Sequence, residues 1–165
     1  MPGVRRKPVP PVPDSLDRVA EVRGAVPLVP GSVEDCCSRL VGRAGVPSRD
    51  EARTWLTFLS ALGLVAESDR GFARTREPAD PDSETLARAF REGVYGAREV
   101  LELLVAADEP LDADAVFEEF REHVPNWERM RDDAWERTWR ERVARLLGWA
   151  ALLGLVREAE GSYRT

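Results

Sequence analysis

The sequence predicts a mainly α fold with short β-hairpins, an α+β chain that holds two tandem copies of one helical unit. Three observations predict it. Residues 33–76 read as a helix, a sharp turn, a second helix and a hairpin. The passage from second helix to hairpin, Leu62-Gly63-Leu64-Val65, returns near the other end of the chain as Leu153-Gly154-Leu155-Val156. Between them residues 77–83, EPADPDS, combine two prolines with three acids and read as a linker. The expected organisation is a flexible, basic, proline-rich tail at 1–13, a first domain at 14–76, the linker at 77–83 and a second domain at 84–165.

Taken in order, residues 1–13 carry five prolines and the cluster Arg5-Arg6-Lys7, which favours a solvated polyproline II leader. Residues 15–23 form a short amphipathic helix with Leu16, Val19 and Ala20 inward, and Gly24 closes it. Two prolines make residues 25–30, AVPLVP, an extended connector or an edge strand. Val33, Cys37, Leu40 and Val41 then recur at helical spacing until Gly45, where the exit requires positive φ. Ser48 and Glu51 make an S-x-x-E capping box behind Pro47, so a second helix starts at once. Its apolar face is Ala52, Trp55, Leu56, Leu59 and Leu62. Gly63 ends it, Leu64-Val65 opens an alternating segment, and Asp69-Arg70-Gly71 turns the chain back through residues 72–76. So short a connection between the two helices makes them cross steeply.

With Gly45-Val46-Pro47-Ser48 at the turn and Leu62-Gly63-Leu64-Val65 at the exit, this stretch resembles the winged-helix (helix-turn-helix) superfamily, though no characterised family within it. The resemblance implies a fold more than a function, because winged helices serve both as DNA readers and as protein-docking modules.

In the second half a helix starts at Glu84 with Leu86, Ala89 and Phe90 on one face. Gly93 and Gly96 loosen the chain, and residues 97–108 resume the helical pattern through Val100, Leu101 and Leu104. Pro110-Leu111-Asp112 stops and restarts it, with Asp112 capping a helix that buries Val116, Phe117 and Phe120 and ends near Pro125. Residues 127–131 read as irregular. A long helix over 132–153 then aligns Trp135, Trp139, Val143, Leu146, Leu147, Ala150 and Leu153, and Gly154 terminates it. The echo extends beyond the helix exit, since Glu67 recurs as Glu158 and Gly71, Arg74 and Thr75 recur as Gly161, Arg164 and Thr165, one residue sooner. The second half is therefore also winged-helix-like. Trp127 has no periodic partner and reads as a core plug between the halves or as an interface anchor.

Composition bounds the function. The chain is 43% apolar, enough for real cores, and shows neither a transmembrane run nor a secretory h-region, so a cytoplasmic protein is expected. Cys36 and Cys37 are adjacent, which suits a buried and a half-buried thiol better than a disulfide. His123 lies too far off in sequence to complete a metal site with them. All basic residues but Lys7 are arginine, and the net charge is −6. That bias fits a GC-rich genome, and scarce lysine with abundant carboxylate is what a high-salt cytoplasm favours.

No glycine-rich phosphate loop, C-x-x-C, H-E-x-x-H or G-x-S-x-G is present. Asp112, Asp114, Glu118 and Glu119 fall at the spacing of a solvated helix face. The expectation is a protein that is not an enzyme and needs no cofactor or metal.

Two readings stay open. In the first the chain is a DNA-binding transcriptional regulator. Winding the second helix at about 100° per residue puts Arg49, Arg53, Thr54 and Thr57 on or beside its outer face, with Arg70, Arg74 and Arg76 as a basic wing. Asp50 and Glu51 oppose phosphate there. In the second reading the tandem units are a protein-docking module without direct DNA binding, self-associating or joining a chromosome or transcription complex, similar in role to the kleisin-binding partner of bacterial condensin. Residues 94–165 hold 16 acids against 10 arginines. Screening by salt weakens phosphate attraction but leaves apolar burial intact. The surface expected for that role is the outer side of the 132–153 helix, with Ala144 and Gly148 allowing close approach and Arg137 and Arg145 as a rim. The expected partners are thus duplex DNA, a second copy or another protein, and no membrane.

Overall fold

The computed structural model describes residues 5–165, and the chain divides into two compact units, one running to Val94 and the other covering Tyr95–Thr165. In each unit helices lead into a β-hairpin, the order of a winged helix, with one helix more before the hairpin in the second unit and one after it in the first.

The first unit contains α1 (Asp17–Gly24), α2 (Val33–Ala44), α3 (Arg49–Ala61), the hairpin of β1 (Val65–Ser68) and β2 (Gly71–Arg74), and α4 (Ser83–Gly93). Ser32 caps α2 by accepting from the Asp35 amide, and Ser48 caps α3 by accepting from the Glu51 amide, each at 3.1 Å. Gly45 leaves α2 at φ 66°, which lets the Val46 amide reach back to the Leu40 carbonyl at 3.1 Å. The α3 exit repeats that geometry, with Gly63 at φ 76° and the Leu64 amide on the Leu59 carbonyl at 2.9 Å. Ala52, Trp55, Leu56, Phe58 and Leu59 of α3 are buried, as are Cys36, Cys37 and Leu40 of α2. Residues 25–30, expected as an extended connector or an edge strand, are a connector of turns and bends that meets β2 at Pro27 and Gly31. Gly31 and Phe72 exchange both backbone bonds at 2.9 Å, and the Arg74 amide donates to the Pro27 carbonyl at 2.7 Å. That approach is close enough that a Cβ on Gly71 would sit 2.0 Å from the Gly31 carbonyl oxygen.

The second unit runs α5 (Ala97–Ala106), β3 (Leu111–Asp112), α6 (Ala113–Phe120), a 3-10 turn (Arg121–His123), α7 (Asn126–Arg131), α8 (Trp135–Leu152), β4 (Arg157–Ala159) and β5 (Ser162–Arg164). Its strands pair antiparallel in the order β3-β5-β4. Phe117, Phe120, Trp139, Leu146, Leu147 and Trp149 make the core, with Phe120 stacked on Trp139 at 5.7 Å and Tyr95 edge-on to the same indole at 5.8 Å. At the α8 exit Gly154 takes φ 79° and the Leu155 amide meets the Ala150 carbonyl at 2.8 Å, the bond seen at Leu64. The cap of α2 also has its counterpart: Ser32 corresponds to Asp112, 80 positions on, whereas Leu62 corresponds to Leu153, 91 on. The second unit therefore carries 11 more residues between the start of its second helix and the end of its third.

The structure differs from the sequence-based expectations in four places. Residues 1–4 of the expected tail lie outside the described residues, but residues 5–13 do not form a solvated leader. The Arg6 amide donates to the Gly93 carbonyl at 2.8 Å, and Val9 and Pro10 are buried. A polyproline segment needs few partners for its own amides, so it can lie on an apolar surface at little cost. Second, α4 comes after the expected linker yet belongs to the first unit. Phe90 is fully buried and edge-on to Phe58 at 6.5 Å, and a Cβ on Gly93 would stand 2.3 Å from the Ala61 carbonyl oxygen. Third, residues 127–131 are helical, starting behind Pro125 without any side-chain cap, and Trp127 stays 55% exposed on that helix instead of plugging a core. Fourth, Trp149 is wholly buried although it lies off the α8 stripe read from the sequence.

If the unit boundary lies at Val94, truncating Phe90 empties a cavity in the first unit alone. Phe90→Ala should destabilise that unit by about 3–5 kcal/mol. Amide exchange should accelerate in α2 and α3 while α6 and α8 keep their protection; faster exchange in α6 and α8 instead would place α4 with the second unit.

Candidate nucleic-acid interface

The outward side of α3 carries Arg49, Asp50 and Arg53 exposed, with Thr54 and Thr57 half-buried. Both threonine hydroxyls donate at 3.2 Å to the carbonyl four residues back, Thr54 to Asp50 and Thr57 to Arg53. Their protons are thus committed to the helix, and what they offer outward is a methyl group and acceptor lone pairs. Arg49 is ion-paired to Glu34 of α2. Among the described residues no ion pair holds Arg53, whose guanidinium stands close enough to the Cys37 thiol to favour its ionised form.

Two further arginines, on α2, were not singled out from the sequence. Arg39 and Arg43 lie one turn apart on α2 and, with Asp35, Ser38 and Gly42, flank a surface depression. Among the described residues neither belongs to an ion pair. Their i, i+4 spacing away from the Cys36, Cys37, Leu40 and Ala44 stripe was the available signal.

The wing does not present its three arginines together. Arg70 is exposed at the hairpin tip, where its amide donates to Ser68 Oγ at 3.2 Å. Arg74 lies two residues beyond Phe72 on β2 and so shares the face that carries Phe72 into the core. Arg74 is half-buried, and with the exposed Arg76 it lines a cavity beside α1. The arginines expected to form one basic surface therefore divide, Arg49, Arg53 and Arg70 remaining outside and Arg74 and Arg76 bordering that cavity.

On α8 the residues expected to form a docking face are less open than a helical wheel implies. Arg137 is exposed, but Ala144, Arg145 and Gly148 are half-buried, and Arg145 lies along its own helix to Glu141 at 2.7 Å. Neighbouring guanidiniums are committed too. Arg121 binds Glu118 at 2.8 Å and Glu136 at 2.7 Å, and Arg140 binds Asp114 at 2.7 Å while lying 4.6 Å from the Phe117 ring centre. Arg142 lies 4.5 Å from the Trp139 ring centre. Asp112 caps α6 as the sequence predicts, accepting from the Ala115 amide at 2.8 Å. His123 offers its main chain to the fold, its carbonyl accepting the Tyr95 hydroxyl at 2.7 Å. Among the described residues no three metal-capable side chains cluster, and no helix is long and apolar enough to cross a membrane.

A family model described as the halobacterial double winged helix domain matches residues 4–165. No curated protein and no solved structure matches the chain.

Cys36 and Cys37 are both buried free thiols, so the half-buried position expected for one of them is not found. The Cys36 thiol points at the Gly31 and Phe72 carbonyls at 3.6 and 3.8 Å. Burial, and then the neighbouring Cys37, push the Cys36 thiol above its ordinary pKa, while burial raises Cys37 against the opposing pull of Arg53. A raised pKa leaves less thiolate at neutral pH. Both residues should resist iodoacetamide in the folded protein and react readily once it unfolds, as counted by intact mass; rapid alkylation of the native chain would contradict this burial.

Proposed function

The chain belongs to the halobacterial double winged helix domain family, and on that premise we propose that it is a non-enzymatic, cytoplasmic DNA-binding protein acting in transcriptional regulation. The observation that carries the reading is Arg53, exposed on the outer face of α3 and held by no ion pair among the described residues. In this reading α3 enters the major groove. Arg53 meets a base edge or a phosphate there, and Thr54 and Thr57 turn their methyl groups toward thymine. Arg70 at the hairpin tip takes a flanking phosphate. Arg49 is available as well, because an exposed pair such as Arg49–Glu34 contributes little and can be exchanged for a phosphate.

A second reading belongs to the second unit. Its acid excess and the engagement of Arg121, Arg140 and Arg145 with carboxylates argue against a second groove reader. Here α8, with Arg137, Ala144, Arg145 and Gly148, faces a protein partner or a second copy, and the chain does not bind DNA directly.

Each phosphate neutralised adds about −0.9 to the slope of log affinity against log salt. Arg53→Ala combined with Arg70→Ala should weaken duplex binding and flatten that slope by about two such increments. If affinity and slope stay unchanged, α3 and the wing tip are not the DNA surface. Light scattering with and without duplex checks the second reading, since a dimer that persists at high salt and ignores DNA favours docking over regulation.

A further inference from the structure

The first unit has a half-open cavity of about 480 Å³ between α1, the root of the hairpin and the segment leading into α4. That volume falls in the range of small-molecule sites, roughly 300–1,000 Å³. One side is apolar, formed by Leu16 and Val19 of α1, Leu28, Leu64 and Leu86, with Leu28 left 59% exposed. The other side carries Arg23, Arg74 and Arg76.

The three guanidiniums differ in what they still need. Arg23 is engaged with protein on several sides, its Nε donating to the Leu64 carbonyl at 3.2 Å, Nη1 to Ala79 at 3.3 Å and Nη2 to Thr75 at 2.8 Å. Arg74 has a buried Nε with no hydrogen-bond partner. Among the described residues no carboxylate forms an ion pair with Arg74 or Arg76. A buried charged donor without an acceptor is costly, and Arg74 also stands close enough to Arg23 to pull its pKa down, second only to burial in that effect. The carboxylates on the lining, Asp17 and Asp80, are exposed, and Glu77 acts on Arg23 in the opposite sense to Arg74.

These features select the ligand chemistry. A cation meets three guanidiniums, and a neutral apolar molecule leaves the charges of Arg74 and Arg76 on the lining without a counter-charge. A multiply charged phosphate meets Asp17 and Asp80 as well as the leucines. A single carboxylate accepts from a guanidinium in a planar fork, and an attached hydrocarbon body covers the apolar side. We propose that this cavity is a binding site for a small organic monocarboxylate, its carboxylate held by Arg74 and Arg76 and its apolar body lying against α1, Leu64 and Leu86. The site is independent of the DNA reading, because none of Arg49, Arg53, Thr54, Thr57 or Arg70 lines it.

Octanoate serves as the probe, with octanol as its uncharged counterpart, titrated into the full chain in buffered KCl by calorimetry. Octanoate should bind saturably and octanol about tenfold more weakly or less, the difference expected of a charge-assisted fork. Arg74→Met keeps the stem and removes the charge, so it should weaken octanoate about tenfold while leaving the melting temperature of the unliganded chain the same or higher, since it removes an unpartnered buried donor. Should that variant not fold, the exposed position supplies the check, and Arg76→Met should weaken octanoate in the same direction. Absent octanoate binding, equal binding of octanol, or indifference of octanoate to the substituted arginine would each overturn the assignment.

Discussion

The first unit is held around one buried charge. Arg23 is 7% exposed, the buried polar side chain of the described core, and it sits at the end of α1. Its bonds reach the carbonyl just beyond the α3 exit at Leu64, both the carbonyl and the hydroxyl of Thr75 after β2, and the carbonyl of Ala79 on the way to α4. One side chain thus fixes the start of the hairpin, its end and the departing chain relative to the first helix. A guanidinium suits the task because its donors radiate in a plane and remain charged even where burial lowers the pKa. The same arrangement leaves the neighbouring Arg74 short of acceptors, so the interaction that organises the unit also makes its cavity positive.

Charge is spent differently in the two units. In the second, Arg121 and Arg140 pair with acids of α6 and α8 and lie over the Phe117 ring, so these guanidiniums are already matched by protein carboxylates. In the first, Arg39, Arg43 and Arg53 have no ion-pair partner among the described residues. A count of acids and bases along the chain misses this, because what a phosphate meets is the charge left over after local pairing.

Much of the fold was legible because its signals were local. Ser48 ahead of Glu51, Gly45 and Gly63 each act within a turn of chain, and each did in the structure what its residue type requires. The recurrence of Leu62-Gly63-Leu64-Val65 revealed the tandem for the same reason, since a helix exit is a short backbone motif. What was not legible depends on tertiary packing. The placement of α4 in the first unit rests on Phe90 meeting Phe58 and on Gly93 meeting the Ala61 carbonyl, neither of which leaves a mark on the 77–83 linker. Helix α7 lacked a capping side chain, and Trp149 is buried off the main stripe, which spacing along α8 alone does not reveal. The division of the wing arginines was within reach, because strand alternation from Phe72 to Arg74 already turned that side chain inward.

The matched exits of α3 and α8 have a consequence for how such a unit changes length. The hairpin leaves each helix through the same glycine and the same backward amide bond, at Leu64 and at Leu155, so the exit keeps one form whatever the length of the helix before it. Helix α3 has 13 residues and α8 has 18, yet the surplus lies wholly at the front of α8, together with the extra turn and α7 that precede it. The rear of the helix behaves as a fixed datum and the front as a free margin. New chain can accumulate between the second and third helices, bringing exposed apolar surface such as Trp127 and Met130 with it, while the helix exit keeps its form.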